Sequence, residues 1–373
     1  MNHHRPLKGL ALSVAAGRLA ACASTAGPTA IPSATRTAVD ERTPLVVFAA
    51  GSLIVPFAEL EAAFEAAHPE VDVRPEYHGS IQVIRHATEL HEPIDVVATA
   101  DASLLPMLMF EAQDPQTGAP YASWACRFAG NRLALAYTDR SRDREEIDGD
   151  NWPDVLARPD VLLGLADPRF DASGYRAMMA LALEERRSGE FGLFNDIFDD
   201  QFTYPVRIFR EEGLSTITVP EVFETTGDSH LRVRGGSIQL LALLESGDID
   251  YAFEYESVIR QHGLRMVELA PQVDLGDEAL RDWYAQSEVE LDFQRFATVE
   301  PRFAGEPIAY GITIPSSAPH PQEAAQFIAF LLGPEGRAVM QANQHPVSDH
   351  PDALGWATMP AALQPLCPEA ESR

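Results

Sequence analysis

Residues 44–64, PLVVFAAGSLIVPFAELEAAF, set the class of the fold, because they combine a strand, a tight turn and a helix in direct succession. The first part is a short apolar run rich in β-branched side chains, which is typical of a buried parallel strand. Beyond Ser52, the apolar side chains of Phe57, Leu60 and Phe64 recur at helical spacing. The segment therefore predicts the first β–α unit of an α/β fold.

Alternating strands and helices continue along the chain and predict a mostly parallel sheet. Further strands are predicted at residues 71–75, 94–98, 133–138, 161–166, 249–254 and 308–315. A length of 373 residues exceeds what one hydrophobic core usually serves, so two lobes are expected. Residues 191–234 mix acidic, aromatic and glycine residues, which predicts an irregular insertion.

The N-terminus has the pattern of an export signal over residues 1–22. Arg5 and Lys8 give a positive region, a mostly small and apolar run follows, and the sequence LAAC ends at Cys22. This segment resembles a bacterial lipobox, in which the cysteine takes a diacylglycerol and becomes the new N-terminus. Arg18 departs from that pattern, and the alternative is an ordinary signal peptide with an incidental cysteine.

The two ends of the mature chain are low in apolar pattern. Residues 23–43 mix Ser, Thr, Pro, Gly and Ala, which predicts a flexible tether, and residues 358–373 form a Pro-rich tail. If Cys22 is acylated, Cys126 and Cys367 remain. Outside the cytoplasm these two form either a disulfide or two buried thiols.

The formal net charge of −28 excludes nucleic acid as a partner, because phosphates would be repelled. The same charge repels small anions at long range, so an anion site has to work through short-range contacts. The histidines show no metal-ligand spacing and no cofactor is expected. Four of them are predicted to lie at the surface: His86, His91, His262 and His345.

Two Gly–Ser pairs have the same local design. Gly51-Ser52 ends a strand and starts a helix, and Gly79-Ser80 does likewise. Glycine lets the backbone come close to a ligand, while free N–H groups at a helix N-terminus and a hydroxyl form a small anion cradle. The alternative is that both serines are simple helix N-caps.

Two carboxylates are candidate ligands. Asp171 lies at a strand-to-helix turn, and Glu254 ends an otherwise apolar strand. A charge at the second position is costly to bury unless it is paired or ligated. The alternatives are a helix N-cap for Asp171 and, for Glu254, a salt bridge to Arg176, Arg260 or Arg265.

Six segments follow one another in the order seen in the tungstate- and molybdate-binding proteins of ABC transporters, and they resemble the archaeal-type tungstate-binding branch. They are FAAGSLIVPFAELEAAFE (48–65), GSIQVIRHATEL (79–90), IDVVATAD (94–101), DASGYR (171–176), LLALLESGDIDYAFEYESVIRQHGL (240–264) and IAYGITIPSSAPHPQEAAQFIAFLL (308–332). The resemblance covers about residues 46–346. Asp167 stands where relatives commonly have Asn, and Ala172-Ser173 replaces a usual Pro-Cys.

The resemblance implies a type II periplasmic-binding-protein fold, in which two α/β lobes joined by crossover strands close over a ligand in the cleft between them. Lobe I then comprises residues 44–128 and 259–357, and lobe II comprises residues 129–258. It also implies an extracytoplasmic or lipid-anchored monomer that serves the membrane permease of an ABC importer.

The resemblance further assigns roles within the cleft. It makes Ser52 and Ser80 hydroxyl and backbone donors to the oxyanion, and it makes Asp171 and Glu254 carboxylate ligands of the metal centre, with Tyr255 beside the site. Tungsten(VI) and molybdenum(VI) are hard centres that can expand their oxygen coordination. Direct coordination can therefore offset the repulsion between carboxylates and a dianion. Sulfate and phosphate would be rejected by the same two carboxylates.

Two other functions are alternatives to this one. The first is the same fold binding sulfate, phosphate or a small organic anion. The second is a secreted hydrolase that uses Asp171 and Glu254 as an acid–base pair. The chain has no nucleophile elbow, HExxH motif or phosphate loop, so a protein without catalytic activity is expected.

Overall fold

The structure of the protein, a computed structural model, describes residues 42–115, 117–292 and 301–370. The predicted signal peptide, the lipidation site at Cys22 and nearly all of the predicted tether lie outside these residues. Among the helices in the described ranges, none has the length and apolar character needed to cross a bilayer.

Strands and helices alternate along the chain. The strands are β1 (Thr43–Ala50), β2 (Val71–His78), β3 (Val96–Thr99), β4 (Ala125–Gly130), β5 (Leu133–Tyr137), β6 (Leu163–Ala166), β7 (Arg207–Glu211), β8 (Leu214–Val219), β9 (Leu231–Arg234), β10 (Tyr251–Tyr255), β11 (Arg265–Glu268), β12 (Ser287–Leu291), β13 (Arg302–Ala304), β14 (Ala309–Thr313) and β15 (Val347–Leu354). The helices are α1 (Ile54–Ala67), α2 (Ser80–Thr88), α3 (Trp152–Leu156), α4 (Ala172–Ser188), α5 (Leu193–Phe198), α6 (Ile238–Ser246), α7 (Glu256–Gln261), α8 (Arg281–Tyr284), α9 (Pro321–Leu332) and α10 (Pro334–Ala342).

A six-stranded sheet has the order β15-β4-β14-β3-β1-β2. β1 pairs in parallel with β2 and β3, whereas β14 pairs antiparallel with β3 and β4. The last four residues of β1 are all buried, as expected for an apolar strand in the middle of a sheet that helices cover. A short 3-10 turn, Gly51–Leu53, joins β1 to α1 at the carboxyl edge of this sheet.

A five-stranded sheet has the order β11-β5-β10-β6-β9. β6 pairs in parallel with β9 and β10, and β5 pairs antiparallel with β10 and β11. The chain passes from the first sheet to this one between β4 and β5, and it returns to the first sheet at β14. Two sheets joined in this way confirm the predicted α/β fold with two lobes. The prediction of a mostly parallel sheet is wrong, because strands such as β4, β5 and β14 pair antiparallel with their neighbours in both sheets. The residue boundaries of the two lobes stay a prediction. β11 lies in this second sheet, although its residues belong to the segment 259–357 that was predicted for lobe I.

The prediction of an irregular insertion at residues 191–234 is wrong. This region contains α5, a β7–β8 hairpin and β9, and the hairpin joins β12 and β13 in a third sheet of order β13-β12-β8-β7. Glu212 and Gly213 both adopt positive φ, as the two-residue turn of a hairpin requires. β7 is charged and mostly exposed, so its sequence gives little apolar pattern by which to predict a strand. The strand that pairs with β8 is β12, which lies far along the chain.

The C-terminal tail packs against the first sheet through a disulfide. Cys126, in β4, is bonded to Cys367, with 6.3 Å between their Cα atoms. Leu363 in the tail is fully buried. Of the two alternatives for these cysteines, the structure has the disulfide, which fits an oxidising compartment outside the cytoplasm.

Candidate functional site

All five residues predicted to bind the ligand lie where strands end and helices begin. Ser52 lies in the turn after β1, and Ser80 is the first residue of α2. Asp171 immediately precedes α4, while Glu254 and Tyr255 end β10. Their exposed fractions lie between 1% and 7%. Ligands of open α/β sheets bind at such carboxyl ends of strands.

Ser237 bridges the two candidate carboxylates. Its backbone N–H donates to Asp171 Oδ2 at 3.2 Å, and its hydroxyl donates to Glu254 Oε1 at 3.2 Å. A Cβ on the neighbouring Gly236 would lie 3.2 Å from Asp171 Oδ2, so glycine keeps the backbone close to this carboxylate. The structure thus brings Asp171 and Glu254 together.

Glu254 has one carboxylate oxygen satisfied and one unused. Its Oε1 accepts from the Tyr255 backbone N–H at 2.7 Å in addition to the Ser237 hydroxyl. Its Oε2 is buried without a hydrogen-bond partner among the described residues. Burial, opposed by the Tyr255 N–H, raises the pKa of Glu254 to about 8. A buried oxygen with no partner is rare in native proteins and calls for an explanation.

A salt bridge does not account for the burial of Glu254. The three arginines considered for that role pair with other carboxylates: Arg176 with Asp101, Arg260 with Glu256, and Arg265 with Asp139. Among the described residues, the hydrogen-bond partners of Glu254 are therefore neutral groups.

Asp171 is a helix N-cap, as its alternative role predicted. Its Oδ1 accepts from the Ser173 backbone N–H at 2.9 Å in the first turn of α4. Burial raises the pKa of Asp171, against the opposing effect of the hydrogen bonds from Ser173 and Ser237. Capping occupies one oxygen of this carboxylate, and the other faces Ser237 next to Glu254.

Neither Ser52 nor Ser80 caps a helix with its side chain. The Ser52 hydroxyl oxygen accepts from the Tyr310 hydroxyl at 2.8 Å. The Ser80 hydroxyl oxygen accepts from the Ala100 backbone N–H at 2.9 Å. Each serine hydroxyl therefore keeps its own hydrogen for donation to another group.

The backbone donors predicted at the start of α2 are engaged within the protein. The N–H groups of Ile81 and Gln82 both point at the Phe170 carbonyl, at 3.1 and 3.4 Å. The N–H of Gly79 donates to the Gln82 side chain at 3.3 Å. A Cβ on Gly79 would lie 2.3 Å from the Phe170 oxygen, so this close contact between the two lobes requires glycine.

Tyr255 contacts a buried arginine rather than open space. Its hydroxyl accepts from Arg176 Nη1 at 2.8 Å, and the same nitrogen donates to the Ala100 carbonyl at 2.7 Å. Arg176 Nη2 lies 3.2 Å from Asp101 Oδ2. The backbone of Tyr255 supports Glu254 directly, while its ring joins α4 to the end of β3.

The sequence prediction missed Ser237, Tyr310 and Asn131 as members of the site. A signal for the first was present, because Gly236-Ser237 before α6 repeats the Gly–Ser design of residues 51–52 and 79–80. Tyr310, in β14, and Asn131, after β4, approach Ser52 only through tertiary packing. No local pattern marks either residue.

The prediction that His345 lies at the surface is wrong. His345 is 1% exposed, and its ring packs edge-on against Tyr310 with 5.1 Å between centroids. The preceding Gln344 has a positive φ of 65°, which turns the chain away from the axis of α10. Burial lowers the pKa of His345 to about 4. Within the described ranges, no group of three or more His, Cys, Asp or Glu side chains is arranged to hold a metal ion.

Comparison with known proteins identifies similar chains of one functional type. A family model described as bacterial extracellular solute-binding protein matches residues 45–343. The molybdate/tungstate-binding protein WtpA of Thermococcus kodakarensis is 32% identical over 323 residues, which cover 85% of each chain. An uncharacterised solute-binding protein of Petrotoga mobilis is 35% identical over 320 residues, covering 86% of this chain and 88% of the relative.

Solved structures show the same fold at low sequence identity. The periplasmic molybdate-binding protein of Azotobacter vinelandii is 15% identical with a TM-score of 0.51, covering 82% of this chain and all 100% of that one. The sulfate-binding protein SubI of Mycobacterium tuberculosis is 13% identical with a TM-score of 0.51, covering 87% of this chain and 92% of that one. These two structures support the two-lobe fold, and they bind different anions according to their names.

Proposed function

Because the chain belongs to the family of bacterial extracellular solute-binding proteins, we propose that it captures tungstate or molybdate for an ABC importer. The observation that carries the proposal is the buried pair of carboxylates, Asp171 and Glu254, bridged by Ser237, with one Glu254 oxygen unpartnered among the described residues. The similarity to a molybdate/tungstate-binding protein supports the same assignment.

The chemistry of the anion explains why carboxylates belong in its site. A dianion enclosed with two carboxylates is repelled by several kcal/mol at the dielectric of a closed cleft. Tungsten(VI) and molybdenum(VI) are hard centres, and carboxylate oxygen is a ligand that hard centres favour. Bonds from Asp171 and Glu254 to the metal would offset the repulsion. Sulfur in sulfate cannot expand its coordination in this way, so sulfate would meet the repulsion alone.

Capture is proposed to occur by closure of lobe I, residues 44–128 and 259–357, onto lobe II, residues 129–258. The contact of Phe170 with the start of α2 supports this, because it joins an element next to β6 to an element next to β2. Ser52 and Ser80 would then donate their hydroxyl hydrogens to ligand oxygens from one side, with the carboxylates on the other.

Isothermal titration calorimetry of the purified protein with tungstate, molybdate, sulfate and phosphate tests the proposal. Asp171→Asn and Glu254→Gln keep the shape of each side chain and are expected to weaken tungstate binding by at least about 100-fold, about 2.7 kcal/mol. Glu290→Gln, which changes a carboxylate on the third sheet, is the matched control and should leave affinity unchanged. Equal affinities of wild type and both site variants, or tighter binding of sulfate than of tungstate, would contradict it.

We further propose that a diacylglycerol on Cys22 holds the chain at the outer face of the membrane, where it serves a permease as a monomer. The lipobox-like sequence before Cys22 supports the anchor. Labelled palmitate should be incorporated by cells that express wild type and not by cells that express Cys22→Ala. Light scattering of the delipidated protein should give the mass of one chain, and a dimer mass would overturn that part.

A further inference from the structure

A line of buried side-chain hydrogen bonds leads from the chain crossover to Ser52. Asn131 Nδ2 donates to the Tyr310 hydroxyl at 3.0 Å, and the Tyr310 hydroxyl donates to Ser52 Oγ at 2.8 Å. The exposed fractions are 5% for Asn131, 0% for Tyr310 and 5% for Ser52. We call these three residues the Ser52 relay.

The amide of Asn131 is held in one orientation. Its Oδ1 accepts from the Arg132 backbone N–H at 3.0 Å and from the Ser257 N–H at 3.4 Å. Its Nδ2 donates to the Ser257 hydroxyl at 2.7 Å as well as to Tyr310. Because the oxygen is placed against backbone donors, the NH2 group faces Tyr310, and an NH2 group can only donate.

That orientation fixes the direction of every later bond in the relay. Tyr310 accepts from Asn131, so its single hydrogen is used toward Ser52. Ser52 accepts from Tyr310, so its own single hydrogen is directed to another acceptor. On the basis of the proposed function, we propose that Asn131 and Tyr310 are positioning residues. They make Ser52 an obligatory hydrogen-bond donor to an unprotonated oxygen of the bound oxyanion.

Ser80, on the same side of the proposed ligand, obeys the same rule by a different route. Ser80 Oγ accepts from the backbone N–H of Ala100, which is also a group that can only donate. Both serines are therefore set as donors before a ligand arrives. Ser52 and Tyr310 follow or lie in strands of the same sheet, so lobe motion does not separate them. Donors that need no reorientation bind an anion more tightly than donors that must first rotate.

Two substitutions change the relay in different ways. Tyr310→Phe removes the donor to Ser52 and lets its hydroxyl rotate, and we expect about 10-fold weaker tungstate binding by calorimetry. Asn131→Asp has nearly the same shape but places an acceptor against Tyr310. The tyrosine then donates to the introduced carboxylate and Ser52 donates to the tyrosine, so a lone pair faces the anion. We expect about 100-fold weaker binding for this variant.

A double-mutant cycle separates positioning from a general structural effect. In a Ser52→Ala background, Tyr310→Phe should weaken binding by less than about 2-fold, because the group that it orients is gone. Glu290→Gln, in β12 of the third sheet, is the control, with affinity expected to stay within about 2-fold. Thermal unfolding of every variant checks that it is folded.

The outcomes distinguish the two proposals. A wild-type protein that binds none of the four oxyanions overturns both. If the wild type binds tungstate, and Tyr310→Phe weakens binding equally with serine or alanine at residue 52, the relay is overturned and the proposed function stays intact. Should Asn131→Asp fail to fold, the Tyr310→Phe and Ser52→Ala cycle decides by itself.

Discussion

Arg176 and Asp101 form a buried ion pair, with 3.2 Å between the guanidinium nitrogen and the carboxylate oxygen. The side chains are 2% and 5% exposed. Arg176 also donates to the Tyr255 hydroxyl and the Ala100 carbonyl. The buried cation beside the site is thus committed to Asp101, which leaves Glu254 with neutral hydrogen-bond partners among the described residues.

Removing that cation should destabilise the protein. We expect Arg176→Met to lower the free energy of unfolding by about 3 kcal/mol, because Asp101 would stay buried with its charge uncompensated. Arg74→Met is the control, since that side chain is 61% exposed and its partner Asp72 is 32% exposed, so their ion pair lies at the surface. Urea unfolding of this control should show a loss of unfolding free energy under about 1 kcal/mol. Similar losses for the two variants would contradict the expectation.

Glu254 should destabilise the ligand-free protein, although it contributes to tungstate binding. Its buried Oε2 has no partner among the described residues, so Glu254→Gln is expected to raise the free energy of unfolding of the ligand-free protein by about 1–3 kcal/mol at about pH 8.5 or above. The same variant should lose tungstate binding. Urea unfolding without ligand measures the first effect, and Glu290→Gln again serves as control. A less stable variant would show that the carboxylate has a favourable partner in the folded protein.

His345 should make stability depend on pH. Burial lowers its pKa from 6.5 to about 4, so between those values the unfolded chain binds the proton more readily than the folded one. The contribution of neutral His345 to the free energy of unfolding is complete above pH 6.5 and is lost as the pH falls toward 4. Wild type should lose up to about 3 kcal/mol relative to His345→Gln across this window. Unfolding curves of both proteins at several pH values measure the difference, and parallel pH profiles would refute it.

Reduction of the disulfide should weaken the whole fold. Cys126 and Cys367 close a loop with a sequence separation of 241, so their bond strongly restricts the unfolded chain. We expect the Cys126→Ser/Cys367→Ser variant to lose about 4 kcal/mol of unfolding free energy. Dithiothreitol should destabilise wild type by a similar amount and leave the double variant unaffected. A reductant effect on the variant would point to another cause.

Gly79→Ala should hinder closure. The added Cβ would lie 2.3 Å from the Phe170 oxygen, so the lobes could not reach their present contact. We expect about 10-fold weaker tungstate binding and a larger radius of gyration by X-ray scattering with ligand present. Gly227→Ala is the control, because a Cβ there meets nothing within 4 Å. Unchanged affinity and radius for Gly79→Ala would show that this contact is not needed.

The sequence predicts the parts of this site that local patterns specify. The strand-turn-helix at Ser52 and Ser80 and the apolar strand ending at Glu254 are each visible in a few residues, and the structure places all three at strand ends. The prediction of two lobes follows from length and from the family resemblance. These features depend on neighbours in the chain, which is why they are readable from it.

The features that escaped prediction depend on residues far apart. The third sheet pairs β8 with β12 across a long separation, and charged β7 gave no strand signal. His345 is buried because the chain turns at Gln344, and a glutamine does not by itself predict the positive φ of that turn. The bridge from Ser237 to both carboxylates requires β6, β10 and α6 to meet, which only the assembled fold determines.

A peptide oxygen of the protein occupies the end of α2 that an anion would use. The Phe170 carbonyl takes the hydrogens of Ile81 and Gln82, so these donors hold the two lobes together. Because this contact forms only when the lobes meet, the strength of the two bonds adds to the free energy of closure. A solute in the site then has to be held by other groups.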